Sequence, residues 1–201
     1  MALRKLRLVS DRMLVEFHGP ADIALETTDA IINAANSYLL GGGGVDGAIH
    51  DAGGPSILEE CKRYVAENGT LPAGQAMLTG GGRLAAKYVI HTVGRVYRGG
   101  RSGEHEVLAS CYRESLRIAE ERSIRSLAFS AISTGAFGYP LPEAAEIAVT
   151  AVLDAAGNAR AIEQVRFVLF DGSALRAYVR AAEAAAKNRS EFVIEAHEGS
   201  S

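Results

Sequence analysis

Short apolar runs that end in turn residues alternate along this chain with longer stretches whose apolar positions recur every three or four residues. Residues 5–18, Lys5 followed by LRLVSDRMLVEFH, cluster or alternate apolar side chains about Ser10 and Asp11, which predicts two short antiparallel strands at a sheet edge. Further strands are predicted at AIINAAN (30–36), QAMLTG (75–80), KYVIHTVG (87–94), SLAFSAIS (126–133) and VRFVLF (165–170). Between 106 and 121, Val107, Leu108, Cys111, Tyr112, Leu116 and Ala119 form one face while Arg113, Glu114, Arg117 and Glu120 fall elsewhere, the pattern of an amphipathic helix. Pro142 with EAAEIAVTAVLDAAG, and the Ala-rich SALRAYVRAAEAAAKN, add two helices. Strands alternating with helices imply an α/β fold whose mainly parallel sheet is covered on both faces, with antiparallel strands at an edge. From about Asn188 the periodicity is lost. Residues 1–188 are therefore expected to form a single domain and 189–201 a C-terminal tail.

Composition narrows the classes. The chain has 201 residues, 48% hydrophobic and 22% charged, which suits one folded core and excludes intrinsic disorder or a coiled coil. A net charge of -3 lacks the basic excess that duplex-binding proteins use against phosphates. Cys61 and Cys111 each fall within a helical pattern, outside any CxxC pair, and read as core thiols. Asp11, Arg12 and Glu16 interrupt the N-terminal region before an apolar signal stretch can form. The uncharged stretch 126–142 is broken by Gly, Ser and Pro, so no spanning helix is expected there. A cytoplasmic monomer is the expectation, with no membrane partner.

Glycine supplies 22 of the 201 residues, against an ordinary share of roughly 7%, and the surplus is clustered. Strand 30–36 runs into SYLLGGGGVDGAIHDAGG. Amides without side chains can form a concave anion site, and a helix starting there adds its dipole. Gly42-x-Gly44-x-x-Gly47 also satisfies the dinucleotide fingerprint. Its glycines, however, begin well past the strand, and Asp46 would set a carboxylate beside the pyrophosphate. No Gly-Lys-Ser/Thr follows, which excludes a P-loop. A second cluster, AISTGAFGYP at 131–140, resembles a hydrolase nucleophile elbow through Ala131-x-Ser133-x-Gly135. The glycines and Pro140 delay the helix that an elbow needs, and the only later histidine is His197. A second amide-lined loop fits better, with Phe137 either a flat apolar surface for a ligand or a core residue.

Three stretches in order, AIINAANSYLLGGGGVDGAIHDAGG, LPAGQAMLTGGGRLAAKYVIHTVG and RSLAFSAISTGAFGYPLPEAA, resemble the macrodomain family, in particular the MacroD-type ADP-ribosyl hydrolases. The resemblance runs from about Asp22 to Asp171. It implies a three-layer α/β/α sandwich with a central mixed sheet and an ADP-ribose cleft across the strand ends. It also implies roles. Asp22 and Ile23 would meet the adenine, with Phe170 a further neighbour. Gly43, Gly44, Val45 and Gly47 would form one diphosphate loop, and Ser133, Thr134, Gly135 and Ala136 the other. Phe137 would lie against the distal ribose, and Asn36 and Asp46 would hold the catalytic positions. Two departures lie at the adenine end: Pro20 and Ala21 separate Gly19 from Asp22, and Ala24 replaces a usual Thr.

The resemblance implies a metal-independent hydrolase without a cofactor, which removes mono-ADP-ribose from acidic side chains or acetate from O-acetyl-ADP-ribose. Asp46 would orient the water and Asn36 the ribose hydroxyls. The alternative is a reader that binds ADP-ribose without cleaving it. The carrier of the linkage stays open: a modified protein, an ADP-ribosylated nucleic-acid end or the free metabolite. His91 reads as a hydrogen-bonded structural histidine, Glu59 and Glu60 as a solvated helix face, and neither His91 nor His50 is expected to form a metal site.

Overall fold

The computed structural model describes residues 3–198. Strands β1 (Leu3–Val9), β2 (Leu14–His18), β3 (Ala30–Ala35), β4 (Ala76–Gly80), β5 (Tyr88–Val93), β6 (Ser126–Phe129), β7 (Gln164–Val168) and β8 (Val193–Glu198) form one sheet in the order β4-β5-β3-β6-β7-β2-β1-β8. The central strands β5, β3, β6, β7 and β2 run parallel, and β4, β1 and β8 add antiparallel edges. Helices α1 (Gly44–Gly53), α2 (Pro55–Asn68), α3 (Glu104–Glu121), α4 (Leu141–Ala156) and α5 (Gly172–Ala186) complete the fold. A short 3-10 turn at Ile23–Leu25 follows β2.

Alternation along the central strands divides the interior into two cores. On β3, Ile32 joins one core and Ile31 the other; on β6, Leu127 and Phe129 face the first and Ala128 the second. The first core lies under α3, α4 and α5, where Phe17, Phe129, Phe167, Tyr112 and Tyr178 gather, with the Phe17 and Phe167 rings stacked 5.1 Å apart. The second lies under α1 and α2 and contains Ile49, Ile57, Cys61 and Val89. This is the expected three-layer sandwich. Both cysteines are buried free thiols, one in each core.

The helix ends follow local chemistry. Asp171 accepts from the amides of Ser173 and Ala174, both at 2.8 Å, and so starts α5. Pro55 opens α2, and Gly69, at φ 78°, closes it.

Two expectations are corrected. The segment expected as a tail carries β8, which pairs antiparallel with β1 from Val193↔Val9 to Glu198↔Leu3. The polar, half-exposed pattern of an edge strand had hidden it. Residues 199–201 lie outside the described region. The strand expected over 126–133 ends at Phe129; beyond it Ile132 is buried from a loop, and Ser133 adopts φ 66°.

Because β3, β6 and β7 are parallel, their C-terminal ends open on one edge of the sheet, where ligands of open α/β sheets bind. An ion network braces that side. In register with Glu16 on β2, Arg166 on β7 places Nη2 3.0 Å from the Glu16 carboxylate, and its Nη1 reaches Glu26 at 2.6 Å. Burial pushes the Glu16 carboxyl up, but hydrogen bonds and charge from Arg166, with help from Gln164 and Arg7, outweigh it and hold the group below its ordinary value. Arg166→Leu is expected to cost about 2–4 kcal/mol at pH 7, since it removes the cation that two near-buried carboxylates share and leaves Glu16 only Arg7 as a charged partner. Glu16 contributes stability that is present above its ordinary 4.5 and lost as pH falls through its lower folded value. The difference between wild type and variant in urea denaturation should therefore shrink on acidification; a difference independent of pH would exclude this role.

Candidate functional site

Two adjoining hollows form one cleft at that sheet edge. The first, about 440 Å³, is lined by Asn36, Gly42 to Asp46, Gly94 and the loop from Ala131 to Phe137. The second, about 500 Å³, is lined by Asp22, Ile23, Ala48, Ser130, Thr134, Phe170 and Asp171. Gly44, Val45, Ala131 and Gly135 border both. A larger cavity of about 570 Å³ opens between α3 and α4, but its Arg113 and Glu106 are paired with each other and no glycine of either loop lines it.

The glycine run supplies the start of α1. Gly43 is the N-cap and makes no side-chain cap bond, so the first-turn amides lack intrahelical acceptors. Gly44 needs glycine for its φ of 61°. Gly47 needs it for space, since a Cβ there would lie 2.5 Å from the Gly42 carbonyl oxygen. Gly47 thus packs against the loop and does not line the cleft.

Opposite stands the 130–138 loop. Among the described residues, the amides of Gly135, Ala136 and Phe137 meet no internal acceptor. Ser133 Oγ and Ser130 Oγ are buried without hydrogen-bond partners. Thr134 turns inward, donating from Oγ1 to the Ala131 carbonyl at 2.9 Å. Tyr97 N donates to Phe137 O at 2.8 Å, tying this loop to the segment after β5. No Lys or Arg lines either hollow, so an anion would be held by amides and hydroxyls.

Asp46 lines the first hollow, in the first turn of α1 and 5% exposed. Its Oδ1 accepts from Asn33 Nδ2 at 2.7 Å, and His50 Nε2 lies 3.5 Å away. Its Oδ2 is 3.5 Å from Asn36 Nδ2. Burial raises the Asp46 carboxyl above its ordinary value, opposed by the Asn33 hydrogen bond and by His50. Asn36 does more than face the cleft: its Nδ2 donates to Gly41 O at 2.8 Å, and its Oδ1 accepts from Tyr38 N at 3.1 Å, which shapes the loop.

At the other end, Asp22 caps the 3-10 turn by accepting from Ala24 N at 2.9 Å, with Ile23 buried beside it. The Phe170 ring is 82% exposed and free to lie on a flat ligand.

The sequence reading did not single out Asn33 or Thr79, and it did not foresee that Cys61 meets the two histidines. His91 is held at both ring nitrogens, as a structural histidine would be, with Nδ1 3.1 Å from Asn33 Nδ2 and Nε2 2.9 Å from Thr79 Oγ1. Burial, and secondarily the His50 charge, lower its pKa to about 3. Donor atoms of His50, Cys61 and His91 lie within 4.8 Å of one another. Burial, with the charges of Asp46 and Glu60, pushes the Cys61 thiol up to about 12, and the His91 nitrogens are taken by hydrogen bonds. His91 could turn a ring nitrogen to another partner only by breaking one of these hydrogen bonds. Among the described residues, no helix is long and apolar enough to cross a membrane.

A mixed, mainly parallel sheet whose strand ends open on two glycine-rich loops and a buried carboxylate defines an α/β domain with its cleft at that edge of the sheet. The chain belongs to the Macro domain family, whose model matches residues 32–148. It is 53% identical to an O-acetyl-ADP-ribose deacetylase of Citrobacter koseri over 81% of this chain and 91% of that one. It is 51% identical to a deacetylase of the same name from Salmonella newport, over 79% of this chain and 89% of that one. The Oceanobacillus iheyensis macrodomain with ADP matches with a TM-score of 0.88 at 35% identity, covering 94% of this chain and 100% of the other. The Trypanosoma brucei macrodomain in complex with ADP-ribose matches with a TM-score of 0.74 at 36% identity, covering 84% and 68%.

A carboxylate whose folded pKa is raised opposes folding at pH values above its ordinary 3.8. Asp46→Asn, which still offers an acceptor to Asn33, is expected to be more stable than wild type at pH 7, with the gain disappearing as pH falls below that value. Chemical denaturation at both pH values checks this; an Asn variant less stable at neutral pH would show that the ionised carboxylate is not under strain.

Proposed function

We propose that this protein is a hydrolase of ADP-ribose conjugates. It releases acetate from O-acetyl-ADP-ribose and removes mono-ADP-ribose from acidic side chains. The observation that carries the reading is the placement of Asp46 Oδ2 where the two amide-lined loops converge, within 3.5 Å of Asn36. Relatives named O-acetyl-ADP-ribose deacetylase at about half identity, and family members bound to ADP or ADP-ribose, support it.

The diphosphate lies between the first turn of α1 and the amides of Gly135 to Phe137, where dipole and N–H groups balance its charge without a lysine. Adenine extends toward Asp22, Ile23 and Phe170, and the distal ribose toward Asn36, Phe137 and Asp46. In deacetylation Asp46 accepts a proton from water as the water adds to the acetyl carbonyl carbon. The bond from that carbon to the ribose oxygen then breaks and the proton passes to this oxygen, leaving acetate and ADP-ribose. Release from an acidic side chain builds oxocarbenium character at the ribose anomeric carbon, which the nearby carboxylate and the bound diphosphate stabilise. A raised Asp46 pKa suits a general base, because a more basic carboxylate holds a proton better.

ADP-ribose should bind with micromolar affinity, about -7 to -9 kcal/mol by calorimetry, and Gly135→Glu should abolish that binding. A Cβ at Gly135 meets no atom within 4 Å, so the variant is expected to keep its fold. Binding within about threefold of wild type would remove this loop from the phosphate site.

Asp46→Ala should lower turnover by about 10²–10⁴, the range of a lost general base, while ADP-ribose still binds. Asn36→Ala should weaken both, because this amide shapes the loop as well as meeting the ligand. Wild-type turnover in folded Asp46→Ala would refute the role of the carboxylate. Tight binding by a wild type with no turnover would establish a reader instead.

A further inference from the structure

From the cleft a chain of polar side chains runs down into the second core. Asn33 on β3 is 0% exposed and lines neither hollow. Its Nδ2 carries two protons and has two partners, Asp46 Oδ1 at 2.7 Å and His91 Nδ1 at 3.1 Å. Its Oδ1 is buried without a partner. The opposite amide orientation would set Oδ1 against an ionised carboxylate oxygen and an imidazole lone pair, so the observed one is fixed while Asp46 is charged. His91 Nδ1 must then be an acceptor, which leaves the proton on Nε2. Thr79 Oγ1 accepts that proton at 2.9 Å and donates its own to Gly80 O at 3.0 Å. Every link in the chain has one direction.

Resting on the hydrolase reading above, we infer that Asn33 is a positioning residue for Asp46. Its amide, oriented by His91 and Thr79 from beneath, fixes the Asp46 carboxylate so that Oδ2 faces the cleft, and it keeps that carboxylate ionised for reaction. The remaining groups around Asp46 are Asn36 from the β3 loop, His50 on its own helix, and Cys61 on α2 near His91. The thiol is neutral. Asn36 is committed mainly to Gly41, and His50 is beyond good hydrogen-bond distance. Asn33 is thus the principal short donor to the carboxylate, and an orphaned buried acceptor is the cost of that arrangement.

The test uses the full chain and inherits nothing from the activity assay alone. In wild type, ¹⁵N spectra of His91 should show the neutral Nε2–H tautomer from pH 5 to 9. ¹³C titration should place the Asp46 carboxyl lower in wild type than in Asn33→Ala, because removing a donor to the ionised form lets the proton bind at higher pH. With O-acetyl-ADP-ribose, Asn33→Ala should lose at least about tenfold in kcat at pH 7 and show an acid limb moved to higher pH. Its affinity for ADP-ribose should stay within about threefold, since Asn33 does not line the cleft. Thr79→Val should keep the His91 Nε2–H tautomer at pH 7, because the Asn33 amide still requires an acceptor at Nδ1. Unchanged ¹³C titration in a folded Asn33→Ala, or an Nδ1–H tautomer in wild type, overturns the inference. If Asn33→Ala does not fold, the wild-type tautomer and its survival in Thr79→Val decide. A wild type without turnover defeats the hydrolase reading, and the two spectroscopic titrations still judge Asn33.

Discussion

Asp46 is a carboxylate at the start of a helix, almost removed from water, and the cleft is arranged around the means of tolerating it. Burial raises the pKa of the group. The helix dipole and the Asn33 donor act in the opposite sense. That balance constrains the backbone nearby. Strand β3 must bring Asn33 under the helix and then turn immediately, with Asn36 fastening the turn to Gly41 and Tyr38. The glycine run must let α1 begin against its own preceding loop, which the 2.5 Å approach at Gly47 permits only without a side chain.

The same local geometry explains how a chain with net charge -3 can favour an anion. Lysines in the cleft would neutralise a diphosphate but would also pair with Asp46 and remove it as a base. Amides offer partial positive charge that cannot migrate to a neighbouring carboxylate. Under the proposed function, two sets of them, from the α1 start and the 130–138 loop, let a negatively charged ligand and a negatively charged base sit in one cleft. The Tyr97–Phe137 backbone bond holds the second set at a fixed distance, so that this electrostatic arrangement is preorganised before a ligand enters.

Much of this was legible in the sequence because the responsible features are local. The short apolar runs of β3 and β5, the helical face of α3 and the two glycine clusters each carry their signal within a short window. Strand β8 did not, because its first residues lie at the sheet edge with Val193 63% and Ile194 43% exposed, so burial imposes no alternation on them. The early end of β6 was hidden for the converse reason: Ala131 and Ile132 continue an apolar pattern from a loop. The Asn33–His91–Thr79 chain was invisible because its members stand on three strands, and only the register Asn33↔His91 and His91↔Met77 brings their neighbourhoods together.

Where the ordinary rules of burial are broken also has a pattern. Asn33 Oδ1, Ser130 Oγ and Ser133 Oγ are buried without partners, Ser133 holds φ 66°, and Asp46 is charged in a desolvated place. Each would cost about 1–3 kcal/mol in an ordinary core. Elsewhere, buried polar groups such as Glu104 and Ser115 are satisfied, Glu104 by the amides of Arg98 and Ser102 and Ser115 by Cys111 O. The costs gather on the loops and strand ends of the cleft and its underlying polar chain. The two serines stand on the loop that borders the cleft. For Asn33 no ligand reaches the orphaned oxygen. Its cost persists in every state, which is intelligible only if the orientation of the amide matters more than its complete satisfaction.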